Sequence, residues 1–246
     1  MKTQFALPHD HKLIDIVGMN YLRSISIGTD IYHAQGLSAT ENDYFFTGVK
    51  TKKSQEAYLF KMNNKSNSII RRKITQSNLV HPSGIQYHDG FIWLALAEYK
   101  KHSRSLIQKI DPENLTVIFE FGFNDHIGAV ACDDKTIYGA NWDTETIYCW
   151  DLKGNLIRQK NYKPGLKIQD FEIIEGYLIG VGGSEGWFII INPETLDVLK
   201  TILLPKMNSK NRITREGFSH FNGHFYFLPD DGPDAKIIVC SPVTIP

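Results

Sequence analysis

The chain has 246 residues, with 42% hydrophobic and 12% aromatic side chains, a composition that buries a full core and excludes disorder. Lys+Arg and Asp+Glu are both 27, so net charge is zero and bulk attraction to nucleic acid or membrane is not expected. No apolar run reaches 18 residues, so no membrane-spanning helix is expected.

The first residues, MKTQFALPHDHK, have no apolar core of the signal-peptide kind, so no signal peptide is expected. His9 and His11 there read as a polar tail rather than metal ligands. Next, YLRSISIG (21–28) is strand-like but has no hairpin partner of its own.

From residue 31 onward one unit recurs: a short polar start, a strand, a turn, and a second strand. It reads HAQGL, Asn42-Asp43, YFFTGVK; then HPSGI, Asp89-Gly90, FIWLALAEY; then DHIGA, Asp133-Asp134, TIYGANWD. Repeat four is IQDF, Glu175-Gly176, YLIGVGGSE, and repeat five is REGF, Asn222-Gly223, HFYFLPDD. Asp-Gly and Asn-Gly pairs between apolar runs tolerate the positive φ of tight hairpins. Gly36, Gly84, Gly128, Asp170 and Gly217 follow one another at 48, 44, 42 and 47 residues. Each hairpin leads into a second, through turns such as Asp111-Pro112-Glu113-Asn114 and Asn192-Pro193-Glu194-Thr195.

A period of this length built only of strands and turns is the signature of propeller blades. The expected fold is all-β: a single five-bladed β-propeller domain over 1–246 with four-stranded blades. Blades are expected at about 31–76, 77–123, 124–164, 165–205 and 206–246. The last repeat holds only three strands, ending with KIIVCSPV, so strand 21–28 is expected to supply its fourth and close the ring. Cys132, Cys149 and Cys240 have no metal-site spacing and read as small buried hydrophobes, which leaves the cellular compartment open.

In a propeller the first strand of each blade starts, and the second ends, on one face. That face would gather His33, Gln35, His81, Ser83, Asp125, His126, Gln169, Asp170, Arg215 and Glu216 from the first strands. The second strands would add Lys50, Glu98, Asn141, Asp143, Ser184, Glu185, Asp230 and Asp231. Convergent polar groups in a concavity are the default site. A blade-opening histidine can instead tie one blade to the next, and Asp230-Asp231 before Gly232-Pro233 can be a plain turn.

The leading expectation is a small-molecule enzyme of hydrolase or lyase type, with His33, His81 and Glu98 as acid and base. Gln35, Ser83, His126, Asn141, Asp143, Gln169, Arg215, Glu216 and Lys50 would bind substrate. A divalent metal is compatible with these residue types, with Glu98, Asn141 and Asp230 as oxygen ligands or the histidines as nitrogen ligands. The alternative is a non-catalytic propeller that binds a ligand or protein on the same face. Lysines in blades one and two (Lys50, Lys52, Lys53, Lys100, Lys101) facing acids in blades three to five suggest steering of an anionic or zwitterionic ligand. A monomer is expected.

The runs HAQGL, HPSGI with WLALAEY, and DHIGAV with GANWD resemble a family of bacterial propellers known only as a domain of unknown function, over roughly Tyr32 to Val239. That resemblance implies a fold and no activity. Gln35-Gly36-Leu37 with its hairpin is similar to the first blade of five-bladed glutaminyl cyclases. This implies cyclisation of an N-terminal glutamine, with Glu98 moving the proton. By architecture the chain is also similar to gluconolactonase-type propellers, which implies a divalent metal held by Glu, Asn and Asp; the two blade-opening histidines depart from that pattern.

Overall fold

A computed structural model describes residues 13–52, 54–183 and 185–245. Its first strand, β1 (Ile16–Ser26), precedes the repeats. Blade one is β2 (His33–Ala39), β3 (Asp43–Lys50), β4 (Glu56–Asn63) and β5 (Ile69–Lys73). In blade two the inner strand is broken into β6 (Leu79–Pro82) and β7 (Gln86–His88), followed by β8 (Phe91–Glu98), β9 (Ser105–Ile110) and β10 (Val117–Phe123). Blade three is β11 (Ile127–Cys132), β12 (Thr136–Asn141), β13 (Thr146–Asp151) and β14 (Leu156–Asn161). Blade four is β15 (Ile168–Ile174), β16 (Tyr177–Gly182), β17 (Trp187–Ile191) and β18 (Val198–Leu203). Blade five is β19 (Gly217–Phe221), β20 (His224–Leu228) and β21 (Lys236–Thr244), with β1 as its outer strand.

The ring of five antiparallel blades therefore closes through the N-terminal segment, as its unpartnered strand pattern predicts. The strand is longer than expected, running from Ile16↔Thr244 to Ser26↔Lys236. The expected Asp89-Gly90, Glu175-Gly176 and Asn222-Gly223 turns each place both central residues at positive φ. At Asp133 the side chain makes the turn instead, its Oδ1 accepting the N–H groups of Lys135 and Thr136. No disulfide is present; Cys132, Cys149 and Cys240 are free and buried.

Apolar faces of adjacent blades pack on each other, as where Phe188 of β17 meets Phe218 and Phe225 of blade five edge-on. Nearer the axis, polar side chains tie blade to blade. Ser38 accepts the Tyr87 N–H, Gln86 accepts those of Cys132 and Ile173, Glu172 accepts that of His220, and Ser219 accepts that of Ala39. Together these bonds link all five blades, with Gln86 of blade two reaching both blade three and blade four.

The repeated glycines let the inner strands meet at the axis. A Cβ on Gly36 would lie 2.7 Å from Gly84 Cα, and one on Gly84 would lie 2.2 Å from Asp170 Oδ1. Asp170, which stands where the other repeats have glycine, fills the space so created. Its Oδ2 accepts the N–H groups of Leu37 (3.0 Å) and Phe218 (2.9 Å), and its Oδ1 that of Phe171 (2.9 Å). The channel is thus narrowed by backbone and one carboxyl below its mouth.

Candidate functional site at the channel mouth

Above that constriction lies a pocket of about 220 Å³ lined by side chains from all five blades. Of the expected residues, His33, Gln35, His81, His126, Asn141, Asp143, Gln169, Arg215 and Glu216 line it, joined by Tyr99, Gly128, Trp142 and Ile168. It has two unlike walls.

The first wall comes from blades one and five and carries charge. His33 Nδ1 lies 2.9 Å from Asp230 Oδ2. Burial works against a charge on His33, but the Asp230 hydrogen bond and the negative field of Asp230, joined by that of Glu216 when it is ionised, outweigh it and hold its pKa above the usual value. Burial acts on Asp230 too, yet the His33 bond, with Arg215 and the Ala34 N–H, keeps that carboxyl below its usual range. Glu216 is 4% exposed. Among the described residues no hydrogen bond reaches its carboxyl, the nearest cation being Arg215 Nε at 3.6 Å. Burial pushes its pKa up to about 8, with Asp230 adding to the rise and His33 and Arg215 opposing it.

The second wall comes from blades two and three and is aromatic and neutral. His81 stacks on Tyr99 at 4.5 Å between centroids and lies nearly parallel to Trp142 at 5.8 Å. His126 sits against both His81 and Trp142. Burial drives the His81 pKa well below the usual value, helped by the fields of His126 and His33. Its buried Nδ1 has no hydrogen-bond partner among the described residues. Burial also lowers the His126 pKa, against the bonds of Nδ1 to the Glu98 and Lys100 carbonyls at 2.7 and 3.2 Å. Those carbonyls only accept, so Nδ1 carries the proton and Nε2 the lone pair.

Several expectations change here. Glu98 does not line the pocket: its carboxylate accepts a bond from Asn78 Nδ2 at 2.7 Å, because the strand end turns it away from the axis. Ser83 is fully buried, its hydroxyl bridging the Gly84 carbonyl and the Ala95 N–H inside blade two. Lys50 pairs with Glu56 on its own blade. Asn141 lines the pocket but has both amide ends engaged, with Asp125 and with the Thr146 N–H.

The oxygen set Glu98, Asn141 and Asp230 is therefore not brought together for a metal. The donors that do gather are His33, Glu216 and Asp230, their atoms all within 4.8 Å of one another. A cation there would compete with protons for the same atoms, since the pKa values of Glu216 and His33 are both raised. Lys101 pairs with Asp143 and Lys210 with Asp234, which cancels part of the expected charge polarity of this face. Ser184, Lys53, His9 and His11 lie outside the described residues.

One contributor, Tyr99, was not expected at the site, and neither was the pairing of another, Asp230. Tyr99 directly follows the strand end at Glu98, and an aromatic at that position was the available signal. Asp230 was recognised only as a turn or metal residue; that it would pair with His33 depends on ring closure.

A model of the family of unknown function DUF6454 matches residues 5–172, well over half the sequence. The chain belongs to this family. No curated protein matches it. Among solved structures, this DUF6454 member is similar to the glutaminyl cyclase of Myxococcus xanthus, with a TM-score of 0.70 at 11% identity over 93% of this chain and 97% of that one. A protein of unknown function from Bacteroides caccae gives a TM-score of 0.53 at 12% identity, over 79% and 69% of the two chains. At these identities the likeness is one of fold. No helix among the described residues is long and apolar enough to cross a membrane.

Proposed function

We propose that the channel-mouth pocket is the active site of an acid–base enzyme acting on a compact polar molecule. One observation carries this reading: Glu216, a buried carboxyl with no hydrogen bond among the described residues, faces the same small space as the His33–Asp230 pair. Two neighbouring carboxyls are pushed in opposite directions, Glu216 up to about 8 and Asp230 down. Such a split assigns roles. Glu216 holds a proton at neutral pH that it gives to a leaving group, and the His33–Asp230 pair holds the adjacent charge. A volume of about 220 Å³ lies below the range usual for drug-sized ligands, so the substrate is small.

The expected hydrolase or lyase chemistry fits this arrangement with Glu216 in place of Glu98. A narrower version follows the fold likeness to the Myxococcus xanthus glutaminyl cyclase. When an N-terminal amine attacks the glutamine side-chain amide and ammonia leaves, one group must move a proton between the two nitrogens. Glu216 would do so here.

Carbon-13 NMR of the Glu216 carboxyl tests the assignment directly: it should titrate near 8, and a value near 4 would leave only a ligand-binding propeller. A panel of small esters, lactones, amides and N-terminal glutaminyl peptides then seeks turnover that Glu216→Gln abolishes.

A further inference from the structure

The two walls of the pocket ask for different things from one ligand. On the aromatic wall, His126 Nδ1–H is committed to two backbone carbonyls, so Nε2 offers only a lone pair on a ring that lines the pocket. It can accept an N–H or O–H and cannot donate while neutral. Beside it stand Trp142 and Tyr99, their ring centroids 5.8 Å apart and both partly exposed, apolar faces against which a planar group can lie. On the charged wall, the half-exposed Arg215 lies 3.6 Å from Glu216, too far for a hydrogen bond, and in the field of Asp230; among the described residues it makes no side-chain hydrogen bond. Its guanidinium N–H groups remain able to take a carboxylate in bidentate fashion.

We propose that the pocket selects a compact carboxylate that also carries a secondary amide N–H. The amide plane lies against Trp142 and Tyr99, its N–H is given to His126 Nε2, and the carboxylate meets Arg215. This names the ligand class of the site just described and rests on that pocket being the site, but needs no chemistry from Glu216.

Three matched probes separate the contacts. N-acetylglycine has both groups, N-acetylsarcosine lacks the amide N–H, and N-acetylglycinamide lacks the carboxylate. Binding is measured by NMR on the Glu216→Gln protein, which cannot use that carboxyl for proton transfer. N-acetylglycine should bind about tenfold more tightly than either of the others, the size expected of one well-placed hydrogen bond or ion pair. It should also shift the His126 Nε2 resonance. His126→Phe should erase the preference over N-acetylsarcosine, and Arg215→Gln the preference over N-acetylglycinamide.

Equal affinities for the three probes, no binding of any, or a preference surviving its cognate substitution would overturn the proposal. Should His126→Phe not fold, an unmoved His126 Nε2 resonance at saturating N-acetylglycine overturns it in the parent protein. A Glu216 that titrates near 4 would sink the acid–base reading while leaving these affinities as they are.

Discussion

Asp170 Oδ2 accepts the N–H of Leu37 at 3.0 Å across 133 residues of sequence. The same oxygen accepts the Phe218 N–H, so one carboxyl from blade four joins blades one and five at the axis. It occupies the one place in the five repeats where glycine is missing, and the glycines around it leave the room it fills.

Asp170→Ala should be strongly destabilising. It leaves three buried N–H groups without acceptors, each costing about 1–3 kcal/mol. Asp170→Asn keeps one carbonyl oxygen and should lose less. Urea unfolding midpoints check the order; an Ala variant as stable as the parent would show that water replaces the carboxyl.

Gly84→Ala should cost several kcal/mol, because its Cβ would meet Asp170 Oδ1 at 2.2 Å and the Gln169 carbonyl at 2.6 Å, beyond the ordinary overpacking cost of about 1–3 kcal/mol. Gly18→Ala on β1 is the control, with nothing within 4 Å and no positive φ. It should stay within about 0.5 kcal/mol of the parent. Similar thermal midpoints for the two variants would contradict the close approach at the axis.

Stability should fall as pH rises through about 8. Glu216 keeps its proton in the folded state up to about 8, whereas an unfolded Glu loses it near 4.3. The stabilisation is therefore complete below the unfolded value and lost as pH rises through the folded one. His33, also raised, acts in the same direction above 6.5. His81, His126 and His220, all lowered, act oppositely but only below about 6.5, where the unfolded chain takes up their protons. The buried Asp170 and Glu172 carboxyls, also raised well above their usual range, act in the same direction as Glu216 and His33. The part of the slope of unfolding free energy between pH 6.5 and 8 that Glu216→Gln removes is therefore the part due to Glu216, and an unchanged slope would contradict its raised pKa.

Removing residues 1–29 should expose the β21 edge, since β1 pairs along its whole length with that strand. Sedimentation should then show association, and unfolding should lose cooperativity. A monomer with an unchanged melting temperature would mean that β1 is dispensable to the ring.

The fold was legible because its information is local and repeated. Each hairpin carries its own turn residues, and the glycines of Asp89-Gly90, Glu175-Gly176 and Asn222-Gly223 take the positive φ that a tight turn needs. A fifth repeat with three strands and a lone strand at the start also implied ring closure by simple accounting of backbone hydrogen bonds. Much of the pocket lining followed from the same register, since equivalent positions in successive blades reach one mouth.

What register could not specify was the direction and partner of each side chain there. Glu98 and Glu216 are both acids at strand ends on the same face; one turns outward to Asn78, and the other is buried beside His33 and Asp230. That difference depends on packing between blades distant in sequence. So does the tautomer of His126, which is set by two carbonyls from the neighbouring blade. Residue type and spacing by themselves determined where polar groups would gather. Only the tertiary structure decided which of them lose water, and hence which hold a proton.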